Sequence, residues 1–274
     1  MADRNILITG CSTGIGKCCA LTMKRRNWHV IATARREQDL DMLRSEGLEA
    51  VYLDYSDGDS IASASQFALE RFDGKLTALY NNGGYGQPGA VEDIEMRVLR
   101  EQFETNFFGW HDLTRRILPH MRRQKSGRIV NCSSVLGLVA MKYRGAYCAS
   151  KSALEALTDC LRLELRGTDI HVSLIEPGPI RTQFVTTARN AFIKNVDINN
   201  SVHIDDYRAK LKQFEEGGTT LFKLEPEAVA QKLVHAVESP RPRNRYFVTK
   251  PTYVMSLLKR LLPGKALDSV LSRG

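Results

Sequence analysis

Short runs of β-branched and other apolar residues alternate along the chain with longer stretches of helical spacing. The apolar runs lie at residues 6–9, 30–33, 50–53, 76–80, 128–131, 171–175 and 246–248. The main helical stretches lie between them, at 15–26, 60–72, 97–122, 146–166 and 226–238. Strands separated by helix-length segments predict an α/β fold, with a single doubly wound parallel sheet and helices on both of its faces.

Residues 183–223 interrupt this alternation with a long polar insert of weak periodicity. Inserts of this length inside a compact domain are typical of functional loops, so we interpret the segment as a substrate lid with one or two short helices. Its aromatic residues agree with an apolar pocket, although aromatic side chains are just as often part of a core. They are Phe184, Phe192, Tyr207, Phe214 and Phe222.

The composition is that of an ordinary globular protein, with 43% hydrophobic and 26% charged residues among 274. We expect one catalytic domain over residues 1–250. No apolar run is long enough for a transmembrane helix, and no secretory signal precedes the first strand, so a cytoplasmic location is expected. The six cysteines lack metal-ligand spacing and are expected to be buried, reduced thiols, and no metal site is predicted.

The positive charge of the chain is concentrated near its C-terminus. Residues 241–274 contain eight basic residues and one acid, which is +7 of the total +8 and leaves about +1 for residues 1–240. Because residues 1–240 are nearly neutral, we expect the positive charge to act at the C-terminal segment and not over the whole surface. Because no basic platform with interleaved aromatic residues and no reading helix is found, a nucleic-acid partner is not expected.

Residues 251–274 are expected to form a separate, basic amphipathic segment. Leucines recur there at helical spacing around Lys259 and Arg260, and Pro263 and Gly264 should interrupt the helix. One interpretation is peripheral contact with an anionic membrane, at the inner membrane face. The other is packing against the body or against a partner subunit, which we prefer because only a few helical turns are available.

A glycine-rich turn follows the first strand and opens the first helix. Its glycines remove side chains where the backbone must approach a pyrophosphate, and the helix N-terminus offers that anion free N–H groups. A plain tight turn would use glycine for conformation alone, but the position in the first βα unit favours a dinucleotide site in a Rossmann-type sheet. The predicted contacts are Gly10, Ser12, Thr13, Gly14, Ile15 and Gly16.

The end of the second strand bears on which nicotinamide nucleotide is bound. An acid there would hold the ribose hydroxyls and repel a 2′-phosphate, but Ala34 takes that place and Arg35 follows it. A guanidinium clasps a phosphate through paired donors, so we predict NADP(H) over NAD(H), with Ser12 as a second phosphate contact. The alternative is that Arg35 and Arg36 are solvated charges at the start of a helix.

Tyr147 and Lys151 lie one helical turn apart and share a helix face. A nearby ammonium favours the phenolate and lowers the phenol pKa from its usual value of about 10, so we expect Tyr147 to act as a general acid/base. Ser134, thirteen residues earlier at a strand end, can donate to a substrate oxygen as negative charge builds there. Ser133 is the neighbouring alternative. Asn106 lies 28 residues before Ser134.

Together these motifs resemble the short-chain dehydrogenases/reductases. The turn Thr-Gly-x-x-x-Gly-x-Gly and the spacing of Asn106, Ser134, Tyr147 and Lys151 match the nucleotide turn and catalytic tetrad of that family. The resemblance implies that Asn106 helps to hold a water that connects Lys151 to solvent. The whole chain is similar to bacterial members grouped near retinol and 17β-hydroxysteroid dehydrogenases, which implies an apolar aldehyde, ketone or alcohol substrate and a homo-oligomer.

The same resemblance implies further cofactor contacts. The acid after the third strand resembles the residue that contacts adenine, and the turn after residue 176 resembles the segment that holds the nicotinamide carboxamide. The family often has Asn-Asn-Ala-Gly after the fourth strand, whereas this chain has Asn-Asn-Gly-Gly at 81–84, so we expect a slightly looser turn. The implied contacts are Asp54, Asn82, Gly83, Tyr147, Lys151, Pro177, Gly178, Ile180 and Thr182.

The predicted reaction is hydride transfer between NADP(H) and an apolar aldehyde or ketone, with Tyr147 handling the proton. Because cells keep the NADP pool reduced, we favour a carbonyl or aldehyde reductase. The alternatives are an NAD-linked alcohol, retinol or hydroxysteroid dehydrogenase, and a non-catalytic NADP(H)-sensing protein that binds a partner. The intact tetrad favours an enzyme, since a sensor has no need of it.

Overall fold

The computed structural model describes residues 4–215 and 222–272, and its centre is one seven-stranded parallel sheet. In chain order the strands are β1 (Asn5–Ile8), β2 (His29–Ala34), β3 (Glu49–Tyr52), β4 (Ala78–Asn81), β5 (Ser126–Cys132), β6 (Asp169–Glu176) and β7 (Arg245–Phe247). Across the sheet their order is β3-β2-β1-β4-β5-β6-β7, and every neighbouring pair is parallel. The doubly wound parallel sheet expected from the sequence is confirmed.

Helices connect these strands and cover the sheet. They are α1 (Gly14–Arg25), α2 (Glu37–Ser45), α3 (Gly58–Arg71), α4 (Met96–Phe103), α5 (Gly109–Arg123), α6 (Val135–Leu138), α7 (Gly145–Glu164), α8 (Phe184–Asn195), α9 (Ile204–Glu215), α10 (Glu227–Glu238), α11 (Lys250–Leu261) and α12 (Gly264–Leu271). Helices α1 and α10 pack against each other, as do α3 and α5. A π-helical turn, Glu104–Phe108, joins α4 to α5.

The central strands are buried on both faces, which explains why they read as continuous apolar runs. Ile6, Leu7 and Ile8 of β1 are fully buried in the main core. All six cysteines are free thiols, but Cys160 is exposed, so the expectation that all would be buried is wrong for this residue. Its place on the outer side of α7 leaves it outside the core.

The strand order reverses between β1 and β4. The chain passes from β1 outward through β2 and β3, then crosses back to place β4 on the other side of β1. The two strand ends are joined where the Thr9 backbone N–H donates to the Tyr80 carbonyl at 3.1 Å. Ligands of open α/β sheets bind at the carboxyl edge of such a reversal, and Gly10 and Asn82 both lie there.

The predicted lid contains two helices, α8 and α9, in agreement with the sequence. Phe192 and Tyr207 are buried in a small core that also contains Ala90 and Val196, so these two aromatic residues hold the lid together and do not line a pocket. Phe184 remains partly exposed. Of the other predicted lid positions, Phe222 is exposed, and residues 216–221 and the side chain of Phe214 lie outside the described part.

The C-terminal segment forms α11 and α12. The predicted interruption is confirmed, because α11 ends at Leu261 and Pro263 immediately precedes α12. Helix α11 packs against α6. Within residues 4–215 and 222–272, no helix combines the length and apolar character needed to cross a membrane.

Candidate active site

The turn between β1 and α1 leaves no room for a side chain at its glycine positions. Gly10 and Gly14 have φ values of +67° and +56°, in the left-handed region that favours glycine. A Cβ on Gly10 would lie 2.4 Å from the Gly83 Cα atom, and one on Gly16 would lie 2.1 Å from the Gly10 carbonyl oxygen. The turn is therefore an open backbone surface at the edge of the sheet.

The start of α1 has the properties of an anion site. Helix α1 begins at Gly14, and its N-cap residue Thr13 makes no side-chain capping hydrogen bond. The first turn contains no acidic residue, so its N–H groups are open to an incoming anion. Ser12 is half-buried and Thr13 exposed beside this turn, while Ile15 packs against the core. These residues fit the diphosphate of a dinucleotide.

Thr9 connects the nucleotide turn to the turn after β4. Its hydroxyl accepts hydrogen bonds from the backbone N–H groups of Asn82 at 2.9 Å and Gly83 at 3.2 Å. The Tyr55 hydroxyl donates to the same oxygen at 2.7 Å. A Cβ on Gly83 would lie 3.1 Å from the Tyr55 ring, so the ring fills the space of the missing methyl group. The expectation of a looser turn is therefore wrong.

The two arginines after β2 have different surroundings. The Arg36 guanidinium pairs with Asp39, with Nε 2.7 Å from Oδ2. Arg35 is 59% exposed, and its Nη1 atom lies 3.7 Å from Asp54 Oδ2, beyond hydrogen-bond distance. The Asp54 carboxylate instead accepts hydrogen bonds from the backbone and hydroxyl of Ser56. The donors of Arg35 remain available at the strand end where the 2′-position of a ribose was predicted.

Tyr147 and Lys151 lie on one buried face of α7, as the spacing predicted. Lys151 Nζ donates to the Cys132 carbonyl at 2.8 Å and lies 4.1 Å from the Trp110 ring centroid. It is 5.9 Å from the centroid of the Tyr147 ring. The ammonium is thus held by the end of β5 and by an aromatic face, with the phenol beside it.

Burial controls the titration of both groups. It raises the pKa of the Tyr147 phenol above its ordinary value, and the hydrogen bond with Ser134 acts in the opposite direction. It lowers the pKa of Lys151 to about 8, because burial disfavours the ammonium. The expected lowering of the phenol pKa is therefore wrong for this structure, since desolvation by burial outweighs the hydrogen bond with Ser134.

Ser133 and Ser134, which follow β5, have different surroundings. Ser134 caps α6, where its hydroxyl accepts from the Leu136 N–H at 3.1 Å, and it also contacts the Tyr147 phenol. The Ser133 hydroxyl is buried without a partner among the described residues. A Cβ on Gly137 would lie 2.7 Å from that oxygen, so Ser133 faces the α6 backbone. The geometry agrees with the spacing in selecting Ser134.

Asn106 lies in the π-helical turn between α4 and α5 and is fully buried. Its amide accepts from the Tyr85 N–H at 3.1 Å and donates to the Tyr85 carbonyl at 2.8 Å. It also reaches the Ser150 hydroxyl on α7 at 3.4 Å. Single π-helical turns are frequent at functional sites, and this one ties the segment after β4 to the tyrosine helix.

The turn after β6 meets the nucleotide turn. A Cβ on Gly14 would lie 3.0 Å from the Thr182 side chain. The Pro177 carbonyl accepts from the Val135 N–H at 2.9 Å, and Ile180 forms an isolated bridge with residue 224. Gly178 is closed in by threonines at the start of α11. Both turns therefore lie together at the carboxyl edge of the sheet, which Phe184 connects to the Tyr147 ring, and we call the space beside this edge the cleft.

Two aromatic residues adjoin the Tyr147–Lys151 pair. Trp110, which the sequence analysis did not single out, lies under Lys151 and donates from its indole N–H to the Gly83 carbonyl at 2.8 Å. Phe184, one of the aromatic residues of the predicted lid, packs edge-on against the Tyr147 ring, with 5.5 Å between centroids. A local signal existed for Trp110, since it follows Asn106 by one helical turn.

A buried group of charges lies directly behind that turn. Glu176 is fully buried and pairs with Arg245, which also pairs with Glu155 and Asp159; we call these four residues the Arg245 cluster. Burial, together with repulsion from Glu155, raises the pKa of Glu176 to about 8. No group of three or more potential metal ligands is found in the described part of the chain.

Comparison with known proteins places the chain among oxidoreductases. The family described as short chain dehydrogenase matches residues 4–192. An uncharacterized oxidoreductase, YbbO of Escherichia coli, is 43% identical over 270 residues, which cover 98% of this chain and 94% of the relative. Human retinol dehydrogenase 16 is 31% identical over 291 residues, covering 99% of this chain and 88% of the relative.

Solved structures agree with this placement. A short-chain dehydrogenase from Streptomyces avermitilis has a TM-score of 0.80 at 30% identity, covering 99% of this chain and 94% of its own. A short-chain dehydrogenase/reductase from Burkholderia phymatum in complex with NAD has a TM-score of 0.76 at 25% identity, covering 94% and 92%. A variant actinorhodin polyketide ketoreductase with NADPH has 0.73 at 25%, covering 90% and 95%. The chain belongs to the short-chain dehydrogenase/reductase family and is an NAD(P)-binding oxidoreductase that acts on CH–OH or C=O groups.

Proposed function

We propose that the protein is an NADP(H)-dependent reductase of apolar aldehydes or ketones, which also catalyses the reverse oxidation. The observation that carries this proposal is the hydrogen bond between Tyr147 and Ser134 beside the buried Lys151, whose Nζ lies 5.9 Å from the Tyr147 ring centroid. A proton donor, a second hydroxyl and a positive charge thus lie close together. This is the set needed to stabilise an alkoxide as it forms.

The proton comes from Tyr147. NADPH, when bound, supplies the hydride for the carbonyl carbon. Because burial raises its pKa, the Tyr147 phenol keeps its proton near neutral pH, which is the state required for reduction. The Ser134 hydroxyl is placed to donate to the same substrate oxygen. As negative charge grows on that oxygen, transfer of the phenolic proton becomes favourable.

Lys151 stabilises the phenolate that remains. With a pKa of about 8, its side chain is mostly an ammonium at neutral pH. The Cys132 carbonyl and the Trp110 ring hold it beside the phenol without neutralising its charge. Asn106 acts as a positioning residue, because its hydrogen bonds to Tyr85 and Ser150 fix the start of α7 against the segment after β4.

The preference for NADP(H) is proposed from the end of β2. Ala34 is buried and carries no acid, and Arg35 is exposed with free donors at the same edge. A 2′-phosphate would be attracted there and would displace the weak contact with Asp54. The proposed cofactor contacts are Gly10, Ser12, Thr13, Gly14, Ile15, Gly16, Arg35, Asp54, Asn82, Gly83, Tyr147, Lys151, Pro177, Gly178, Ile180 and Thr182.

An apolar substrate is proposed from the wall opposite the phenol. Phe184 packs against the Tyr147 ring, and a Cβ on Gly86 would lie 3.0 Å from the Phe184 ring, so carbon atoms line this side of the phenol. Similar proteins include human retinol dehydrogenase 16 and human 17-beta-hydroxysteroid dehydrogenase type 1. The retinol and steroid substrates in their names support large apolar alcohols or ketones as candidates for this chain.

Self-association is proposed from the helix pair α4–α5. Phe103, Phe107 and Phe108 pack into one aromatic cluster there, and Phe108 is 48% exposed. An exposed aromatic anchor of this kind is typical of protein interfaces. We propose a second copy of the chain as the partner of this face.

Replacing Tyr147 by phenylalanine tests the proposed chemistry. Oxidation of NADPH in the presence of aliphatic, aromatic, retinoid and steroid carbonyls should show turnover for the native protein. In Tyr147→Phe, kcat should fall by about 10²–10⁴-fold because the proton donor is lost. NADPH affinity should persist, and Tyr52→Phe, at an exposed site on β3, should behave like the native protein. Undiminished turnover in Tyr147→Phe would refute the assignment.

A matched arginine pair tests the cofactor preference. Arg35→Ala should weaken NADPH binding by about 10- to 100-fold, since charge-assisted hydrogen bonds to a phosphate contribute about 1.5–3 kcal/mol. NADH binding should stay the same. Arg36→Ala should change neither, because Asp39 engages that guanidinium. Binding is measured by nucleotide fluorescence. Equal NADPH affinity in Arg35→Ala and the native protein would favour the NAD-linked alternative.

A further inference from the structure

The outward side of α11 is apolar. Tyr253, Val254, Leu257 and Leu261 are 50%, 49%, 55% and 68% exposed, and they lie along one side of the helix. The solvent side of a surface helix normally carries polar residues. A contiguous exposed apolar strip of this kind marks an interaction site. We call these four residues the C-terminal face.

The exposure of this face does not come from a loosely attached helix. On the opposite side of α11, Thr252 is fully buried, and the helix packs against α6. The Thr249 hydroxyl, which lies just before the helix, contacts that of Thr252 at 3.1 Å, and both lie against Gly178. Because the inner side is anchored in this way, the orientation of the outer side is fixed.

Positive charge accompanies the C-terminal face along the chain. Four basic residues and one acid lie between residues 250 and 272, a net charge of +3. None of the four basic residues makes an ion pair within the part of the chain that the structure describes. Their charge is therefore available to an anionic partner. The residues are Lys250, Lys259, Arg260, Lys265 and the acid Asp268.

This charge distinguishes between the possible occupants. A twofold contact with a second copy would place the same patch on both sides and bring two sets of positive charges together. An anionic lipid surface satisfies both features, because its acyl region accepts the leucines and its headgroups attract the basic side chains. We infer that the C-terminal face docks the protein peripherally on an anionic phospholipid surface.

The docking surface is next to the reacting end of the cleft. Helix α11 contacts α6, which is capped by Ser134, and its first turn lies against the Gly178 turn. Docking therefore brings the substrate side of the cleft near the bilayer, where apolar carbonyls dissolve. This consequence, unlike docking itself, rests on the proposed function.

Vesicle flotation tests the docking. The full-length protein should float with phosphatidylcholine vesicles that contain about one third phosphatidylglycerol, should not float with pure phosphatidylcholine, and should be released by salt. The double variant Leu257→Gln, Leu261→Gln should lose at least about tenfold in partitioning. The reason is that it lacks two apolar side chains that the acyl region of the bilayer would otherwise bury. Lys259→Gln and Arg260→Gln should each lose about fivefold.

Leu163→Gln is the matched control, since Leu163 is 62% exposed on α7, outside the C-terminal face. Its partitioning should equal that of the native protein. Absence of flotation with anionic vesicles would overturn the proposal, as would equal losses in the control. A dimer that the double leucine variant dissociates, without vesicle binding, would assign the face to a second copy. Flotation needs no turnover, so its failure is distinguishable from failure of the proposed reaction.

Discussion

The carboxyl ends of β1 and β6 face the same cleft, yet they are built differently. The end of β1 is neutral, with a glycine turn held by the Thr9 hydroxyl and the Asn82 amide. The end of β6 is charged, because Glu176 is fully buried against Arg245. The conformation of the turn after β1 is fixed by the close approach of backbone atoms. The net charge at the end of β6 depends on how many protons its carboxyl groups hold.

This difference indicates which part of the site should respond to pH and which to steric change. In the Arg245 cluster and the adjoining Arg162, two guanidinium groups face three carboxylates. One oxygen of Glu155 and one of Glu176 have no hydrogen-bond partner among the described residues. Buried charges of this kind stabilise a fold only while their partners remain. We therefore expect the nicotinamide side of the cleft to respond to pH and the diphosphate side to steric change.

Removing Arg245, the cation at the end of β6, should have the largest effect on the free energy of unfolding. In Arg245→Met, three carboxylates lose their shared partner, and the free energy of unfolding should fall by about 3–5 kcal/mol. Urea unfolding measures this. Arg243→Met is the control, because that side chain is exposed and its backbone contacts are retained. A loss below about 1 kcal/mol in Arg245→Met would mean that the cluster is solvated and that the comparison fails.

Adding a methyl group to the glycine turn after β1 should have the next largest effect on stability. In Gly16→Ala the new methyl group meets the Gly10 carbonyl, so the turn must shift, at about 1–3 kcal/mol. NADPH affinity should fall by more than about tenfold because the displaced backbone no longer fits the diphosphate. Gly58→Ala, with no atom within 4 Å of the added Cβ, should leave NADPH affinity unchanged. Unaltered NADPH binding in Gly16→Ala would contradict the steric account.

Taken per pH unit, the smallest expected effect is a pH dependence of stability that originates at Glu176. The pKa of this residue is about 8 in the folded protein against an ordinary value of 4.5, so between these values the folded state holds a proton that the unfolded chain has lost. The free energy of unfolding should therefore fall as pH rises through this window, by at most about 1.4 kcal/mol per pH unit.

Urea midpoints between about pH 5 and pH 8 measure this slope. Glu176→Gln should flatten it, because the variant carries no titrating group at this position. Glu164→Gln, at an exposed position on α7, should retain the native slope. Equal slopes in the native protein and Glu176→Gln would assign the pH response to another group.

The neutral end was predictable because its information is local. The glycines, the strand before them and the helix after them lie within a few residues, and their spacing identified the turn. The Arg245 cluster was not predicted, since its partners come from α7, β6 and β7 and are 69 to 90 residues apart in the chain. Only the sheet order brings them together.

The predicted lid and the Tyr147 phenol show the same limit. The sequence predicted the insert and one or two short helices in it, but weak periodicity did not reveal that Phe192 and Tyr207 form a core while Phe184 faces the phenol. Spacing placed Tyr147 and Lys151 on one face, yet the direction of each pKa shift depends on burial. Burial is a property of the packed molecule and is not encoded by the interval between two residues.

The contact of Thr249 and Thr252 with Gly178 affects how the C-terminus is best studied. A Cβ on Gly178 would lie 2.0 Å from the Thr249 hydroxyl, so these threonines form the floor beneath the turn that we propose as the contact of the nicotinamide end of the cofactor. Deleting the last helices would remove part of that floor together with the outer leucines. An inactive truncated enzyme would then say nothing about lipids, and only point substitutions on the outer side separate anchoring from catalysis.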